Sequence, residues 1–299
     1  MRYPAFAALL AASALPSAAQ TVATALSPGD VLAAAPAGDW EAVDDGNVLL
    51  LEFAGGRKLV IQLANAYAPG HVANIHALVR DGWFQRHAAI VRVQENYVVQ
   101  WGDPTEKAAL PQGIEARPEG NYARPGLPVD FRPLPFKDAY GATVGHAKGW
   151  PVATDGTAHW LPHCPGIVGA GRNMPPDTGT GAELYVVIGH GPRHLDRNIA
   201  AVGRVLAGIE GLSALPRGTG AMGFYEKPEQ RVKLVSARLA VDLPQEERPR
   251  FEVLKSDSTS FATWVDVRAN RRDAFFVRPA GGADICNLIP PVREVTGSR

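Results

Sequence analysis

Arg92 stands in an otherwise apolar run, AAIVRVQENYVVQWGD, with Gln100 eight residues on and Tyr97 and Trp101 beside it. An arginine in such a stretch faces either solvent or a pocket, because a guanidinium is rarely buried without partners. One reading leaves it on the surface, paired with Glu95. The other joins it to Gln100 and the neighbouring rings in a groove, where donors, an amide and aromatic faces could hold a ligand. The residues alone leave both open.

Other chemistry is sparse. The chain has no His-Glu-x-x-His, no phosphate loop and no Gly-x-Ser-x-Gly elbow. Gly169-x-Gly171 lacks the third glycine of a dinucleotide fingerprint, and no strand–helix unit surrounds it. His190, His194 and Asp196 have ligand-like spacings of four and two, but Pro192 rules out a regular helix carrying them. They read as a surface loop, and no metal is expected. The two cysteines, Cys164 and Cys286, form neither a Cys-x-x-Cys nor a Cys/His cluster. In an oxidising compartment they would make one disulfide if they meet; otherwise they are two buried thiols.

The elements that must position Arg92 and Gln100 are mostly strands. Asn47 to Phe53 and Lys58 to Leu63, joined through Gly55-Gly56, predict a hairpin. Pro69 opens a helix with Val72, Ile75, Leu78 and Val79 on one face and Gly82 just past its end. Ala88–Val93 and Tyr97–Trp101 read as strands, as do Leu184–Ile188, Ala200–Val205 and Arg231–Leu239. A short helix is expected near Ile209–Leu215, and another within Phe251–Arg272, with Phe261, Trp264, Val265 and Arg268 on one face. Between Pro104 and Cys164 the pattern dissolves into Pro, Gly and aromatic residues, far beyond an ordinary loop. Mostly antiparallel strands with few helices imply a barrel or sandwich.

Composition narrows the class. The 299 residues carry 30 basic and 30 acidic side chains, which argues against a binder of nucleic-acid phosphates or a polybasic membrane-surface protein. With 31 Gly and 25 Pro the chain suits a loop-rich, strand-rich architecture. Residues 1–19 begin with Arg2, continue through apolar Ala5–Ala14 and end in Ser17-Ala18-Ala19, the pattern of a secretory leader cut near Ala19-Gln20. No later stretch is apolar enough to span a bilayer, so the expected mature protein is periplasmic or secreted. The expected organisation is a lead-in of little regular structure at 20–46, a domain at 47–240 with an insertion at 107–164, and an extension at 241–299 packed on it. Residues 279–299 read as tail.

At this point the chain resembles the cyclophilin-type peptidyl-prolyl isomerases. Their Phe-His-Arg, four residues, Phe-Met-x-Gln-x-Gly-Asp is similar to Ile90-Val91-Arg92 followed by Tyr97-Val98-Val99-Gln100-Trp101-Gly102-Asp103. The helix APGHVANIHALVRDG resembles the family's AP-x-T-x-x-N-F-x-x-L helix. Gly181-Ala182-Glu183-Leu184-Tyr185, His194-Leu195-Asp196 and Val202-Gly203-Arg204-Val205 resemble later family segments, in the same order. HLDRNIAAVGRV followed by PRGTGAMGFYEKPEQRV is similar to an exported bacterial branch with a long insertion and a C-terminal extension.

The resemblance implies a closed eight-stranded antiparallel barrel with two capping helices. It also implies peptidyl-prolyl cis-trans isomerisation of proline-containing polypeptides, with no cofactor. By the same resemblance Arg92 and Gln100 are catalytic. Tyr97, Val98, Glu183, Tyr185, His194, Leu195 and Ile199 bind substrate. Departures are visible: Val91 replaces the family's His, Tyr97 its Phe, Glu183 its Gln, His194 its Trp and Ile199 its pocket His. A catalytically weak prolyl-peptide-binding or scaffold module of the cell envelope is the alternative those departures raise.

Overall fold

The computed structural model describes residues 25–116 and 122–295. The expected leader, its cleavage point and the first residues of the lead-in lie outside them. Along the chain come α1 (Pro28–Ala34), β1 (Trp40–Ala42), β2 (Val48–Phe53) and β3 (Arg57–Leu63). Next are α2 (Pro69–Asp81), α3 (Trp83–His87), β4 (Ala89–Val93) and β5 (Val98–Gly102). The central stretch holds β6 (Arg124–Pro125), β7 (Arg132–Pro133), β8 (Thr143–Ala147), β9 (Trp150–Thr154) and β10 (Ala158–Trp160). Then follow β11 (Ile167–Ala170), β12 (Leu184–Val187), β13 (Ala201–Ala207), α4 (Ile209–Ser213) and β14 (Val232–Leu239). The chain closes with β15 (Phe251–Leu254), α5 (Thr259–Ala269) and β16 (Val292–Glu294).

Eight of these strands close into an antiparallel barrel in the order β11-β12-β5-β4-β14-β2-β3-β13. Alternation drives it: Leu49, Leu51 and Phe53 of β2 and Leu59, Ile61 and Leu63 of β3 all point inward and are at most 3% exposed. Burying each such side chain contributes roughly 1.5–3 kcal/mol. Phe53 meets Trp101 edge-on, with 5.7 Å between ring centroids. Helix α2 starts with Pro69 at its first position and stops at Gly82, whose φ of 77° is left-handed and suits glycine. Its Val72, Ile75 and Leu78 join the barrel core, and α2 and α3 lie against β14 while α4 lies against β3.

Two further sheets flank the barrel. The insertion forms a five-stranded sheet, β6-β10-β9-β8-β7. Val144, Trp150, Val152, Trp160 and Leu161 pack there with Ile167 and Ala201 of the barrel. The sequence hid this sheet because its strands are short, three contain proline, and β9 is buried along its whole length rather than alternating. The third sheet is β1-β15-β16, with Val31 of α1 and Phe261 and Trp264 of α5 in one cluster with Trp40 and Leu254.

This sheet corrects two expectations. The lead-in is not irregular, since Ser27 caps α1 and Trp40 pairs with Leu254. Nor is 279–299 only tail, since β16 pairs with β15. Both segments are too short to show a period of their own and are held by strand pairing across the chain. On α5, Phe261 and Trp264 are buried but Arg268 is exposed, donating to the Asn287 carbonyl.

Cys164 and Cys286 form a disulfide across 122 residues, joining the end of the insertion to the C-terminal segment. A second tie is His146 of β8, which is buried and 2.7 Å from the Leu288 carbonyl.

Candidate active site

The site lies on the outer face of the barrel wall formed by β4, β5, β12 and β11. Within β5, Val99 and Trp101 point into the core, so Val98 and Gln100 point out. Within β12, Leu184 and Val186 point in, so Tyr185 and Val187 point out. Register then aligns one row across four strands: Arg92 opposite Gln100, Gln100 opposite Tyr185, Tyr185 opposite Gly169. A shift of register between Ile90 and Arg92 marks a bulge that re-aims the arginine. Gly169 is required where it stands, because a Cβ there would lie 2.3 Å from the Tyr185 ring. The glycine motif that resembles a dinucleotide fingerprint is therefore part of a strand, and its bareness lets an aromatic ring lie across the sheet.

Beyond Ile90, β4 parts from β14, and the segment 218–225 takes over its edge. The Tyr225 amide donates to the Val91 carbonyl at 2.8 Å and the Gly218 amide to the Val93 carbonyl at 2.9 Å. That segment delivers two partners to Arg92. The guanidinium Nε donates to the Met222 carbonyl at 2.7 Å, and the Phe224 ring lies 5.3 Å from it. Nη1 donates to Gln100 Oε1 at 2.9 Å, and Nη2 donates to the Gln94 side chain. The Tyr97 ring is 5.4 Å away. Glu95 does not pair with Arg92; it pairs with Arg217 at 2.6 Å. Burial lowers the Arg92 pKa from its ordinary value, while Tyr97, Glu183 and Tyr185 oppose the shift.

Gln100 passes the contact on. Its Nε2 donates to Glu183 Oε1, so Glu183 reaches the arginine only through the amide between them. Burial pushes the Glu183 pKa up, against the Gln100 hydrogen bond and the Arg92 charge. Past Glu183 opens a cleft of about 270 Å³ edged by Asp103, Glu106, Arg172 and Asp177.

On the other side of Arg92 is an apolar cluster. Val98, Tyr185 and Val187 form a small cluster of their own, against which Tyr97, Leu195 and Ile199 pack. His194 is exposed and stacks on Tyr97, with Nε2 3.1 Å from the phenol oxygen. All nine residues singled out for the site thus fall on one continuous face. His190, His194 and Asp196 do not converge, because Asp196 turns inward and is only 6% exposed. His190, Asp284 and Cys286 do lie close together, yet the Cys286 sulfur is committed to the disulfide. Gln94, Met222 and Phe224 were missed from sequence. Gln94 carries no signal beyond its nearness to Arg92, and the other two reach the arginine from a segment at least 130 residues further along the chain.

Comparison with known proteins fits this arrangement. Residues 49–239 match the profile of the family described as cyclophilin type peptidyl-prolyl cis-trans isomerase/CLD, which takes in most of the chain and every residue of the face. The chain belongs to the cyclophilins. Its activity class is therefore peptidyl-prolyl cis-trans isomerase.

Two curated relatives, probable peptidyl-prolyl cis-trans isomerases of Brucella suis and Brucella abortus, are each 25% identical over 197 residues. Those alignments cover 64% of this chain and 83% of each relative. A solved structure, cyclophilin AquaCyp293 from Hirschia baltica, superposes with a TM-score of 0.68 at 24% identity. It covers 92% of this chain and 100% of its own, so the shared fold extends past the family match into the flanking elements. Among the described residues no helix is long and apolar enough to cross a membrane.

Within a cyclophilin frame, the departures have local explanations. Val91 is the residue at the bulge, half-buried, with its carbonyl taken by Tyr225. Tyr97 and His194 form a stacked, hydrogen-bonded pair at the rim. Glu183 keeps an acceptor facing Gln100.

Proposed function

We propose that this cyclophilin accelerates rotation about Xaa-Pro bonds of exported polypeptides, with Arg92 hydrogen bonding to the prolyl nitrogen. Amide resonance sets the rotation barrier near 18–20 kcal/mol, and unaided X–Pro isomerisation takes tens to hundreds of seconds. As the bond twists, the nitrogen loses conjugation and becomes an acceptor. A guanidinium N–H aimed at it then stabilises the twisted form more than either planar form. The apolar face formed by Tyr97, Val98, Tyr185, Leu195 and Ile199 would take the proline ring, and Gln100 would hold the neighbouring carbonyl. His194 and Glu183 would border the flanking residues. The step moves no electrons and needs no nucleophile or cofactor.

One observation carries this reading: Arg92 is fixed by Gln100, Gln94 and the Met222 carbonyl beside the apolar cluster of Val98, Tyr185 and Val187. Export is supported by the leader-like residues 1–19 and by the disulfide, since such bonds persist in oxidising compartments.

A second reading, a module that holds prolyl segments with little catalysis, draws on the same contacts. Three guanidinium N–H groups already have partners, leaving two of the five for a substrate. Isomerisation of a series of short Xaa-Pro peptides separates the two. A rate well above the uncatalysed one supports the enzyme, whereas saturable binding without acceleration supports the module.

A further inference from the structure

The apolar cluster beside Arg92 has a support that the family resemblance does not contain. Tyr185 lies with its ring across Gly169 and is almost fully buried, and its hydroxyl is 3.0 Å from His163 Nε2. The two rings are stacked, 21° apart in plane. His163 is 1% exposed and belongs to the end of the insertion, one residue before Cys164. Its Nδ1 is 3.1 Å from Asp196 Oδ1, and its backbone amide donates to the same oxygen at 2.8 Å.

The direction of this chain follows from chemistry. A carboxylate only accepts, so Nδ1 carries the proton and faces Asp196. With Nδ1 turned to Asp196, Nε2 is the ring nitrogen that faces the Tyr185 hydroxyl as its acceptor. Burial raises the Tyr185 pKa well above the ordinary phenol value, which keeps that hydroxyl a donor. Burial would also raise Asp196, but hydrogen bonds from the His163 ring and backbone, together with the Arg193 charge, hold it below the usual carboxylate value.

Asp196 is anchored from two further directions. Trp160 Nε1 donates to Oδ2 at 3.1 Å and Arg193 Nε donates to it at 3.2 Å. Arg193 in turn makes a two-pronged pair with Asp138 of the insertion at 2.8 and 3.0 Å. Arg193 and Asp196 bracket His194 and Leu195, so the same contacts fix the loop that borders the apolar cluster. Insertion, loop and pocket wall meet in one buried polar network whose side chains each have partners.

We propose that His163, oriented by Asp196, is a positioning residue of the prolyl site, holding the Tyr185 ring as a fixed wall and making the insertion a brace for substrate binding. This rests on the reading of the site given above. His163 touches no substrate; it acts through Tyr185. Without its acceptor, the Tyr185 hydroxyl is left buried and unpaired, so the ring moves away and the apolar cluster loses its shape. The effect therefore falls on binding, and catalysis at Arg92 continues in whatever complex forms.

The test is a set of steady-state isomerisation measurements on an Xaa-Pro peptide with wild type, His163→Phe, Tyr185→Phe, the double variant and Arg92→Ala. Phenylalanine at 163 keeps a flat ring for stacking and removes the acceptor. His163→Phe is expected to raise KM at least fivefold with kcat within threefold of wild type. The double variant, which removes both partners, should return KM at least halfway toward the wild-type value. A KM unmoved in folded His163→Phe, or a double variant as poor as the single, overturns the role. Should His163→Phe fail to fold, the comparison moves to the Tyr185→Phe background. There the added His163 change must leave KM within twofold, and a larger shift overturns the proposal. Arg92→Ala separates the levels. Its loss of rate with no KM effect of His163→Phe removes only the positioning role, whereas a full rate in Arg92→Ala removes the site reading and this role with it.

Discussion

Arg92 reaches the outer surface of the barrel with its direction already set. Nε, Nη1 and Nη2 each have an acceptor, so the guanidinium plane cannot swing freely when a substrate arrives. Gln100 is central to that control because it accepts from Arg92 and donates to Glu183. Gln100→Ala should lower kcat/KM about tenfold or more, since it removes a hydrogen bond to a charged group and leaves Glu183 without its donor. Peptide isomerisation rates read this directly, and a change below twofold would deny the relay. At this scale Arg92, Gln100, Tyr97 and Tyr185 were legible because their spacing follows a family pattern. Gln94, Phe224 and His163 were not, because no pattern in the sequence links them to the arginine or the tyrosine. Glu95, close to Arg92 in the sequence, is instead taken by Arg217, which arrives from beyond α4.

At the scale of elements, strand register does most of the positioning, and seven of the eight barrel strands were readable as alternating or continuous apolar runs. β11 escaped because Ile167–Ala170 is four residues long, contains a glycine and is buried throughout. β1 and β16 escaped because each is three residues long and is paired with β15 from a distant part of the chain. The contact between β8 and the C-terminal segment has a pH consequence. Burial pulls the His146 pKa down to about 4 from an ordinary 6.5, against the Leu288 hydrogen bond. The unfolded chain therefore takes up a proton near pH 6.5 while the folded chain does not until about pH 4. Stability from this group is complete above the unfolded value and is lost as pH falls through that window, by on the order of 3 kcal/mol. Thermal unfolding from pH 7.5 to 4.5 should show a steeper fall in Tm for wild type than for His146→Gln. Parallel curves would contradict it.

The whole molecule is a cyclophilin barrel enlarged by two sheets, and the additions reach the prolyl face through buried contacts. The Cys164–Cys286 disulfide joins those additions across 122 residues. In the chain-entropy picture a loop of that length contributes about 4–5 kcal/mol by restricting the unfolded chain. Replacing both cysteines by alanine should therefore lower the urea midpoint markedly, and thiol counting on the native protein should find none free. Two titratable thiols without denaturant would contradict the bond. Arg92 acts on the twisted amide rather than on the planar one, and one pair of measurements decides this. Rate and affinity should be measured together for wild type and Arg92→Ala, using exchange rates of a bound Xaa-Pro peptide and its dissociation constant. The catalysed rate should fall about a hundredfold while the dissociation constant changes less than threefold. A rate that survives the substitution, or a loss of rate matched by an equal loss of affinity, would contradict it.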